Sequence, residues 1–262
     1  MAFMKRIVLA AFFIAMTAIG CGAGTKDSKV EILQVFGHRT DAYTQGLFFW
    51  NGQMYETTGQ YGESSIRKVD LSTGKVLSKV SLTEKYFAEG SCVVDGMLYV
   101  LTWKNRLAFV YDPKTLKYVR TLSYPRDGWG LTAVPPDFAR KNDMPEAVMV
   151  SSDGSSRLFF LDRELRTLKT LNVNIKGRPV RLLNELEWID GKIWANVYTT
   201  DLIVVIDPVT GIVEEKIDCS SLIPEKERSA HMDVLNGIAQ GPDGSVYLTG
   251  KYWPKLFKIS RK

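Results

Sequence analysis

Short apolar runs separated by turn signals recur along the chain. Five segments begin with a polar or indole residue, usually followed by Gly, and continue into an apolar strand; they start at Gln45, Glu89, Trp129, Asn184 and Asn236. Four of them reach a tight turn before a second strand, with NG at 51–52 and DG at 95–96, 190–191 and 243–244. Such dipeptides between apolar runs are strong hairpin signals. The third segment has a longer, Pro-containing loop instead.

A second pair of strands follows each of the first four hairpins. The segments SIRKVDLSTGKVLSKVSL, AFVYDPKTLKYVRTL, RLFFLDRELRTLKTLNV and LIVVIDPVTGIVEEKID share one plan. Asp70, Asp112, Asp162 and Asp207 hold equivalent turn-entry positions, where a short acceptor side chain caps a turn. The repeating unit is four antiparallel strands over roughly 40 to 55 residues, which is typical of a propeller blade.

The fifth unit lacks its outer strand, because only KLFKIS separates its hairpin from Lys262. We expect VEILQVF at 30–36 to supply that strand, which would leave no open sheet edge. The pattern therefore predicts an all-β fold: one five-bladed β-propeller over residues 30–262, with its last blade closed by an N-terminal strand. Residues 22–29 are expected to form a short linker.

The first 21 residues are typical of a signal peptide. A positive start, MAFMKR, precedes an apolar run that is short for a membrane span of about 20 residues. AIGC at 18–21 resembles a bacterial lipoprotein cleavage box with Cys21 as the lipidated residue, although Ala18 stands where Leu is usual. Ordinary cleavage nearby is the alternative. Both predict an exported protein of the periplasm or cell envelope, and the first adds a lipid anchor to a membrane.

Charge and cysteine content exclude several classes of function. The formal net charge is +5 and falls by two when Lys5 and Arg6 leave with the signal. No basic cluster indicates a nucleic-acid interface. Two histidines and no CxxC pair argue against a zinc site. The sequence is equally compatible with two free thiols at Cys92 and Cys219 and with a disulfide between them. The protein is expected to be a monomer.

The repeat brings chemically varied side chains to one place. The five segment-starting residues, Gln45, Glu89, Trp129, Asn184 and Asn236, should all lie at one mouth of the central channel. The ends of the second strands return to that mouth and bring Thr58, Trp103, Asp153, Tyr198 and Lys251, with Tyr43 and Phe87 nearby. Singly, such residues are more often core aromatics, turn amides or surface lysines. Together, they form an aromatic-walled site with convergent polar groups, which is typical of a binding pocket.

Several long strings resemble one enzyme family. AYTQGLFF, YFAEG, LTWK, DGWGLT, LNELEW, IWANV and TGKYWPKLF, spread from about residue 38 to 257, are similar to the glutamine cyclotransferases, the plant- and bacterial-type glutaminyl cyclases. The resemblance implies a five-bladed propeller that is unrelated to the animal-type zinc enzymes. It assigns proton shuttling to Glu89. It assigns polar binding roles to Gln45, Asn184 and Lys251 and aromatic ones to Phe87, Trp103 and Trp129.

Two positions depart from the family pattern. Tyr43 stands where the family usually has Phe, and Tyr198 stands where it usually has Trp. Both remain aromatic, so the pocket wall should survive, but their hydroxyls need partners.

The resemblance implies that an N-terminal Gln of peptides or proteins becomes pyroglutamate with release of ammonia. This is a metal-independent acyltransferase reaction that needs no cofactor, and a structural cation in the channel is left open. The alternative is a non-catalytic, lipid-anchored propeller that binds peptides or sugars at the same mouth. A metal-dependent, lactonase-type propeller would need several acidic ligands, and only Glu89 and Asp153 qualify. Indoles near Glu89 would raise its pKa and Lys251 would lower it, and the sequence leaves that balance open.

Overall fold

The computed structural model describes residues 24–262, and the fold is all-β, as predicted. It begins with β1 (Lys26–Gly37) and continues with three four-stranded antiparallel sheets, each in chain order. The first sheet contains β2 (Thr44–Trp50), β3 (Gln53–Thr58), β4 (Ser65–Val69) and β5 (Val76–Ser81). The second contains β6 (Ala88–Val94), β7 (Met97–Thr102), β8 (Leu107–Tyr111) and β9 (Tyr118–Ser123). The third contains β10 (Leu131–Ala133), β11 (Met149–Ser152), β12 (Arg157–Leu161) and β13 (Thr167–Asn172), with helix α1 (Pro136–Lys141) after β10.

The rest of the chain forms a small hairpin and one eight-stranded sheet. The hairpin consists of β14 (Asn174–Ile175) and β15 (Arg178–Pro179). The following strands are β16 (Leu183–Ile189), β17 (Lys192–Val197), β18 (Leu202–Ile206), β19 (Val213–Asp218), β20 (Leu235–Gln240), β21 (Val246–Gly250) and β22 (Lys255–Arg261), with a 3₁₀ turn at Glu225–Glu227. The order of strands in this sheet is β16-β17-β18-β19-β1-β22-β21-β20. One half therefore consists of β16 to β19, and the other half consists of β20 to β22 with β1, which pairs with β19 of the first half.

The predicted turn chemistry is present. Asn51 and Gly52 have φ of 48° and 77°, and the pairs at 95–96 and 190–191 are also left-handed at both residues. This is the geometry of the hairpin turns that favour Asn-Gly and Asp-Gly. At the turn entries, the Asp70 carboxylate accepts the N–H of Thr73 at 2.8 Å, and Asp112, Asp162 and Asp207 accept backbone N–H groups in the same way.

Strand β1 pairs on both sides. Val30–Gly37 runs antiparallel to β22, which is the pairing predicted for 30–36. Lys26–Lys29 runs parallel to Glu215–Asp218 of β19. The expectation of a linker over 22–29 is therefore wrong for residues 26–29. Ser28 and Val30 are buried and their neighbours are exposed, which is the two-residue alternation of a strand with one covered face.

The inner strands form a closed ring. β2, β6, β10, β16 and β20 contact one another in that cyclic order, and β20 closes the ring against β2. In the described part of the chain, five apolar clusters lie between neighbouring four-stranded units. Phe160 and Ile193 belong to one cluster, and Leu47 and Tyr247 belong to the cluster that closes the ring. The core therefore sits between the sheets, and the inner strands leave their starting ends free to carry a site.

Several expectations concern the chain ends and thiols. The predicted signal peptide and the predicted lipidation site, Cys21, lie outside the described residues. Among residues 24–262, no helix is long and apolar enough to cross a membrane. Cys92 and Cys219 are both buried as free thiols, which settles the choice between thiols and a disulfide.

We expect deletion of residues 22–37 to lower Tm by more than about 10 °C or to abolish cooperative unfolding. The deletion removes a strand that is hydrogen-bonded on both sides and opens the edges of β19 and β22. Deletion of 22–25 leaves both ladders and should shift Tm by about 2 °C or less. Thermal unfolding of the two variants, followed by circular dichroism, checks this. Equal Tm values would show that β1 does not stabilise the ring.

Candidate active site

The nine side chains that were compared with the family pattern, Tyr43 and Tyr198 included, line one cavity. Its volume is about 260 Å³, and it lies where the inner strands begin. Its lining residues are Tyr43, Gln45, Gln60, Phe87, Glu89, Trp103, Trp129, Asn184, Tyr198 and Lys251. Gln60 is the one member that the sequence analysis missed.

Local backbone irregularities place the polar residues at the mouth. The register of four of the five inner hairpins shifts, at Gln45, Glu89, Asn184 and Asn236. Such a bulge inserts an extra residue, bends the strand and re-aims a side chain. The same irregularity therefore recurs in four units. Gln45, Glu89 and Asn184 line the cavity, whereas Asn236, which was expected at the mouth, is fully buried and lies outside the lining.

The residues after the second strands complete the wall. The N–H groups of Trp103, Tyr198 and Lys251 donate to the carbonyls of Phe87, Leu182 and Val234 at 2.8–3.0 Å. These three residues therefore occupy equivalent positions, each just beyond its strand.

The equivalent residue of the first sheet is Gly59, whose N–H donates to the Tyr43 carbonyl at 2.8 Å. The expectation that Thr58 reaches the mouth is therefore off by one residue, because Thr58 is buried and bonds to the Ser65 hydroxyl. A Cβ on Gly59 would lie 2.2 Å from the Phe87 ring, so Phe87 occupies the space of the missing side chain. The loop after Gly59 then brings Gln60, with φ of 88°, to the cavity wall.

Asp153 also lies outside the cavity lining, and its carboxylate accepts the N–H of Ser155 at 3.0 Å. Glu89 is thus the only carboxylate among the lining residues in the described chain. In residues 24–262, no group of three or more His, Cys, Asp or Glu side chains is placed to hold a metal ion.

Gln45 connects the lysine to the carboxylate. The Lys251 ammonium donates to Gln45 Oε1 at 2.5 Å, and Gln45 Nε2 donates to Glu89 Oε1 at 3.1 Å. Asn236 Nδ2 donates to the same Gln45 oxygen at 3.2 Å. All four side chains are buried. Since Lys251 can only donate, the oxygen of the Gln45 amide must face Lys251 and its nitrogen must face Glu89. The second oxygen of Glu89 accepts no hydrogen bond from residues 24–262.

Burial controls the protonation of both charged groups. It raises the pKa of Glu89 well above its usual range, with a smaller contribution from Asp127, and the Lys251 cation opposes this rise. Burial also lowers the pKa of Lys251 to about 8, against the opposing carboxylates of Glu89, Asp233 and Glu185. For the pKa values of both Glu89 and Lys251, the effect of burial therefore outweighs the attraction between the two opposite charges. A carboxyl group with a raised pKa can both take up and release a proton near neutral pH.

Aromatic rings enclose the polar groups. The Phe87 and Trp103 ring centroids are 5.5 Å apart, and Trp129 meets Tyr198 edge to face at 5.5 Å. The Lys251 ammonium lies 4.2 Å from the Tyr43 ring centroid, close enough for a cation–π interaction. Burial, followed by the nearby Asp233 and Tyr198, raises the pKa of Tyr43. Tyr43 and Tyr198, the two residues that depart from the family pattern, are therefore neighbours.

A second polar atom of the site, the side-chain oxygen of Asn184, is buried and has no partner among residues 24–262. Buried polar atoms are nearly always hydrogen-bonded, so an unpaired one deserves an explanation. Because Asn184 is among the lining residues, its side-chain amide is a candidate to hydrogen-bond a bound ligand.

Comparison with known proteins gives consistent results. A model of the glutamine cyclotransferase family matches residues 6–260. The chain is similar to a glutaminyl-peptide cyclotransferase of Arabidopsis thaliana, with 36% identity over 265 residues, 96% of this chain and 79% of the relative. Its structure is similar to the crystal structure of Myxococcus xanthus glutaminyl cyclase, with a TM-score of 0.81 and 31% identity, over 91% of this chain and 98% of that one.

Proposed function

The chain belongs to the glutamine cyclotransferase family, and we propose that it converts the N-terminal Gln of peptides or proteins to pyroglutamate with release of ammonia. The observation that carries this proposal is Glu89: a single buried carboxyl group with a raised pKa, in an aromatic-walled cavity. The proposed reaction needs one group to accept and then return a proton, and such a carboxyl group suits both steps.

The α-amine of the substrate attacks the side-chain amide carbon of the same residue. A new C–N bond closes the five-membered ring, and the bond from that carbon to the side-chain nitrogen breaks. Glu89 accepts a proton from the attacking amine and returns it to the leaving nitrogen, which departs as ammonia. The reaction is intramolecular, so gripping the short aliphatic stem between aromatic rings selects the reactive conformer. Proton transfer and charge stabilisation come from protein side chains, so we propose a metal-independent aminoacyltransferase that needs no cofactor.

The polar residues of the cavity have separate roles in binding the substrate and stabilising charge. Among the described residues that line the cavity, Lys251 is the one cation, so we assign it the hydrogen bond to the oxygen that gains charge when the ring closes. The side-chain amide of Asn184, which is part of the lining, hydrogen-bonds the substrate. Phe87, Trp103, Trp129, Tyr43 and Tyr198 hold the apolar part of the substrate residue.

We further propose that the fold is a five-bladed propeller, with β1 as the outer strand of the last blade. The cyclic contact of five inner strands and the five apolar clusters between sheets support this assignment. A single domain of this kind, acting as a monomer, would contain the whole site.

The leader supports export to the cell envelope and a lipid anchor at Cys21. Cys21→Ser should then abolish lipid labelling and partitioning into a detergent phase. A native protein that starts at another residue and partitions into the aqueous phase would contradict the anchor.

Ammonia release from a Gln-initiated peptide tests the proposed function. The full-length protein should release ammonia from the peptide with a free α-amine and none from the same peptide after N-acetylation, because the blocked amine cannot attack. Peptide binding without ammonia release would favour the alternative, a non-catalytic binding module.

We expect Tyr198→Phe and Tyr198→Trp to stay within about tenfold of the parent in kcat/KM, a change of about 1.4 kcal/mol. The ring of Tyr198 packs against Trp129 and near the Lys251 ammonium, and both replacements keep a ring there. Tyr198→Ala removes the ring and should lower kcat/KM by more than either of these replacements. Steady-state kinetics on one Gln-peptide checks the series, and a large loss in Tyr198→Phe alone would show that the hydroxyl itself acts.

A further inference from the structure

The fourth inner strand breaks the pattern of the repeat. In four units, the residue after the mouth position is glycine: Gly46, Gly90, Gly130 and Gly237. The fourth unit has Glu185 instead, and this side chain is almost fully buried.

The glycines permit close approach of the inner strands. A Cβ on Gly90 would lie 2.4 Å from the Trp129 carbonyl oxygen, and one on Gly130 would lie 2.0 Å from that of Asn184. Real Cβ atoms are not found at such distances, so these two strands tolerate no side chain there. A large carboxylate at the fourth position is therefore a specific exception rather than a variant of the repeat.

The Glu185 carboxylate joins three inner strands. Its Oε1 accepts the N–H of Leu47 in β2 at 3.3 Å, and its Oε2 accepts the N–H of Ile238 in β20 at 2.8 Å. Leu47 lies two residues beyond Gln45, and Ile238 lies two residues beyond Asn236. Glu185 itself follows Asn184. The carboxylate thus fastens the backbone directly behind Gln45 and Asn184, which line the cavity, and behind Asn236, which hydrogen-bonds Gln45.

We propose that Glu185 is a positioning residue for the reaction, which holds β2, β16 and β20 so that Gln45, Asn184 and Asn236 converge. The proposal rests on the proposed function. The reason for the proposal is that the Gln45 side chain hydrogen-bonds Lys251, Asn236 and Glu89 at the same time. A small shift of β2 relative to β20 would lengthen the contacts through which Lys251 and Glu89 are connected, and misplacement by about 1 Å can cost about a hundredfold in rate.

Glu185 also acts on the cation of the site. Burial raises the pKa of its carboxyl, as does Glu187, whereas the two backbone N–H groups and Lys251 oppose the rise. In turn Glu185, with Glu89 and Asp233, supports the charged form of Lys251 against burial. Loss of the Glu185 charge should lower the pKa of Lys251, so the alkaline limb of kcat/KM should move to lower pH.

Glu187 offers a matched control. It lies two residues further along the same strand, and its carboxylate accepts the Gln240 N–H at 3.0 Å and the Thr132 hydroxyl at 3.1 Å. It is not among the groups that shift the pKa of Lys251. Glu187→Gln therefore removes a comparable carboxylate without the connection to the mouth.

The test compares Glu185→Gln and Glu187→Gln in the full-length protein. In Glu185→Gln, one backbone N–H faces an amide N–H instead of an oxygen. We expect kcat to fall at least about tenfold with KM within about threefold, and the alkaline limb to move to lower pH. Glu187→Gln should stay within about threefold of the parent in both constants. Equal losses in the two variants, or parental kcat in Glu185→Gln, would overturn the proposal.

Amide hydrogen exchange provides a readout that needs no activity. The N–H groups of Leu47 and Ile238 should exchange faster in Glu185→Gln than in the parent and at parental rates in Glu187→Gln. A parent that releases no ammonia from any Gln-peptide would refute the proposed function, while this exchange result still decides whether Glu185 fastens the strands. If Glu185→Gln does not fold, Glu185→Asp and Glu187→Asp replace the pair, with the same expected order.

Discussion

Glu89→Gln should lower kcat by about 10² to 10⁴, the usual contribution of a general acid–base group, and change KM by less than about threefold. The replacement keeps the shape of the side chain and an oxygen that can accept the Gln45 amide N–H. It removes the only titratable carboxyl group among the described residues that line the cavity. The loss should therefore fall on transition-state stabilisation and not on substrate binding, as measured by steady-state kinetics on a Gln-peptide.

Asp153→Asn is the matched control for this variant. Asp153 was expected at the same mouth, but it lies outside the cavity lining, so its neutralisation should leave kcat within about threefold of the parent. Parental kcat in Glu89→Gln would show that Glu89 is a structural carboxylate and that the proposed proton shuttle is wrong.

Lys251→Met should lower kcat/KM by about a hundredfold, comparable to the loss of one donor to an oxyanion. Met is of similar length and fills the buried space, but it cannot donate to Gln45 or to the substrate oxygen. The Lys251 cation opposes the rise in the pKa of Glu89, so its removal raises that pKa further. The base form of Glu89 exists above its pKa. The acidic limb of the pH–rate profile should therefore move to higher pH.

The pH dependence separates this role from simple packing. Lys258→Met, which removes a lysine paired with Asp243 outside the cavity lining, should change neither the rate nor the profile. A Lys251→Met variant with a reduced rate but a parental acidic limb would show that the cation does not act on Glu89.

Much of the site was predictable because the repeat makes positions equivalent. Once Gln45, Glu89 and Asn184 were recognised as equivalent strand starts, their convergence followed from the ring alone. Gln60 could not be placed in this way, because the loop that carries it, 59–64, is two residues longer than the corresponding loops of the other units. The offset between Thr58 and Gly59 arose because strand ends cannot be fixed to one residue from sequence. A Gly at a position where other units carry Trp, Tyr or Lys was the available signal.

Two features depended on long-range geometry. The strand at Lys26–Lys29 is polar and pairs with β19, which is nearly 190 residues away in sequence, so no local apolar pattern revealed it. The balance between burial and the Lys251 charge at Glu89 is likewise a property of the folded cavity. By contrast, the exceptional Glu185 was visible in the sequence as a break in the Gly pattern, although its two backbone partners were not.

The mass of the product formed from a Gln-initiated peptide tests the central claim most directly. Cyclisation predicts a decrease equal to one molecule of ammonia, in the parent and at a much lower rate in Glu89→Gln. A peptide labelled with heavy nitrogen at the side-chain amide should lose the label as ammonia, and one labelled at the α-amine should keep it in the product. Conversion of the terminal Gln to Glu, with the α-amine still free, would show hydrolysis instead of ring closure and would contradict the account.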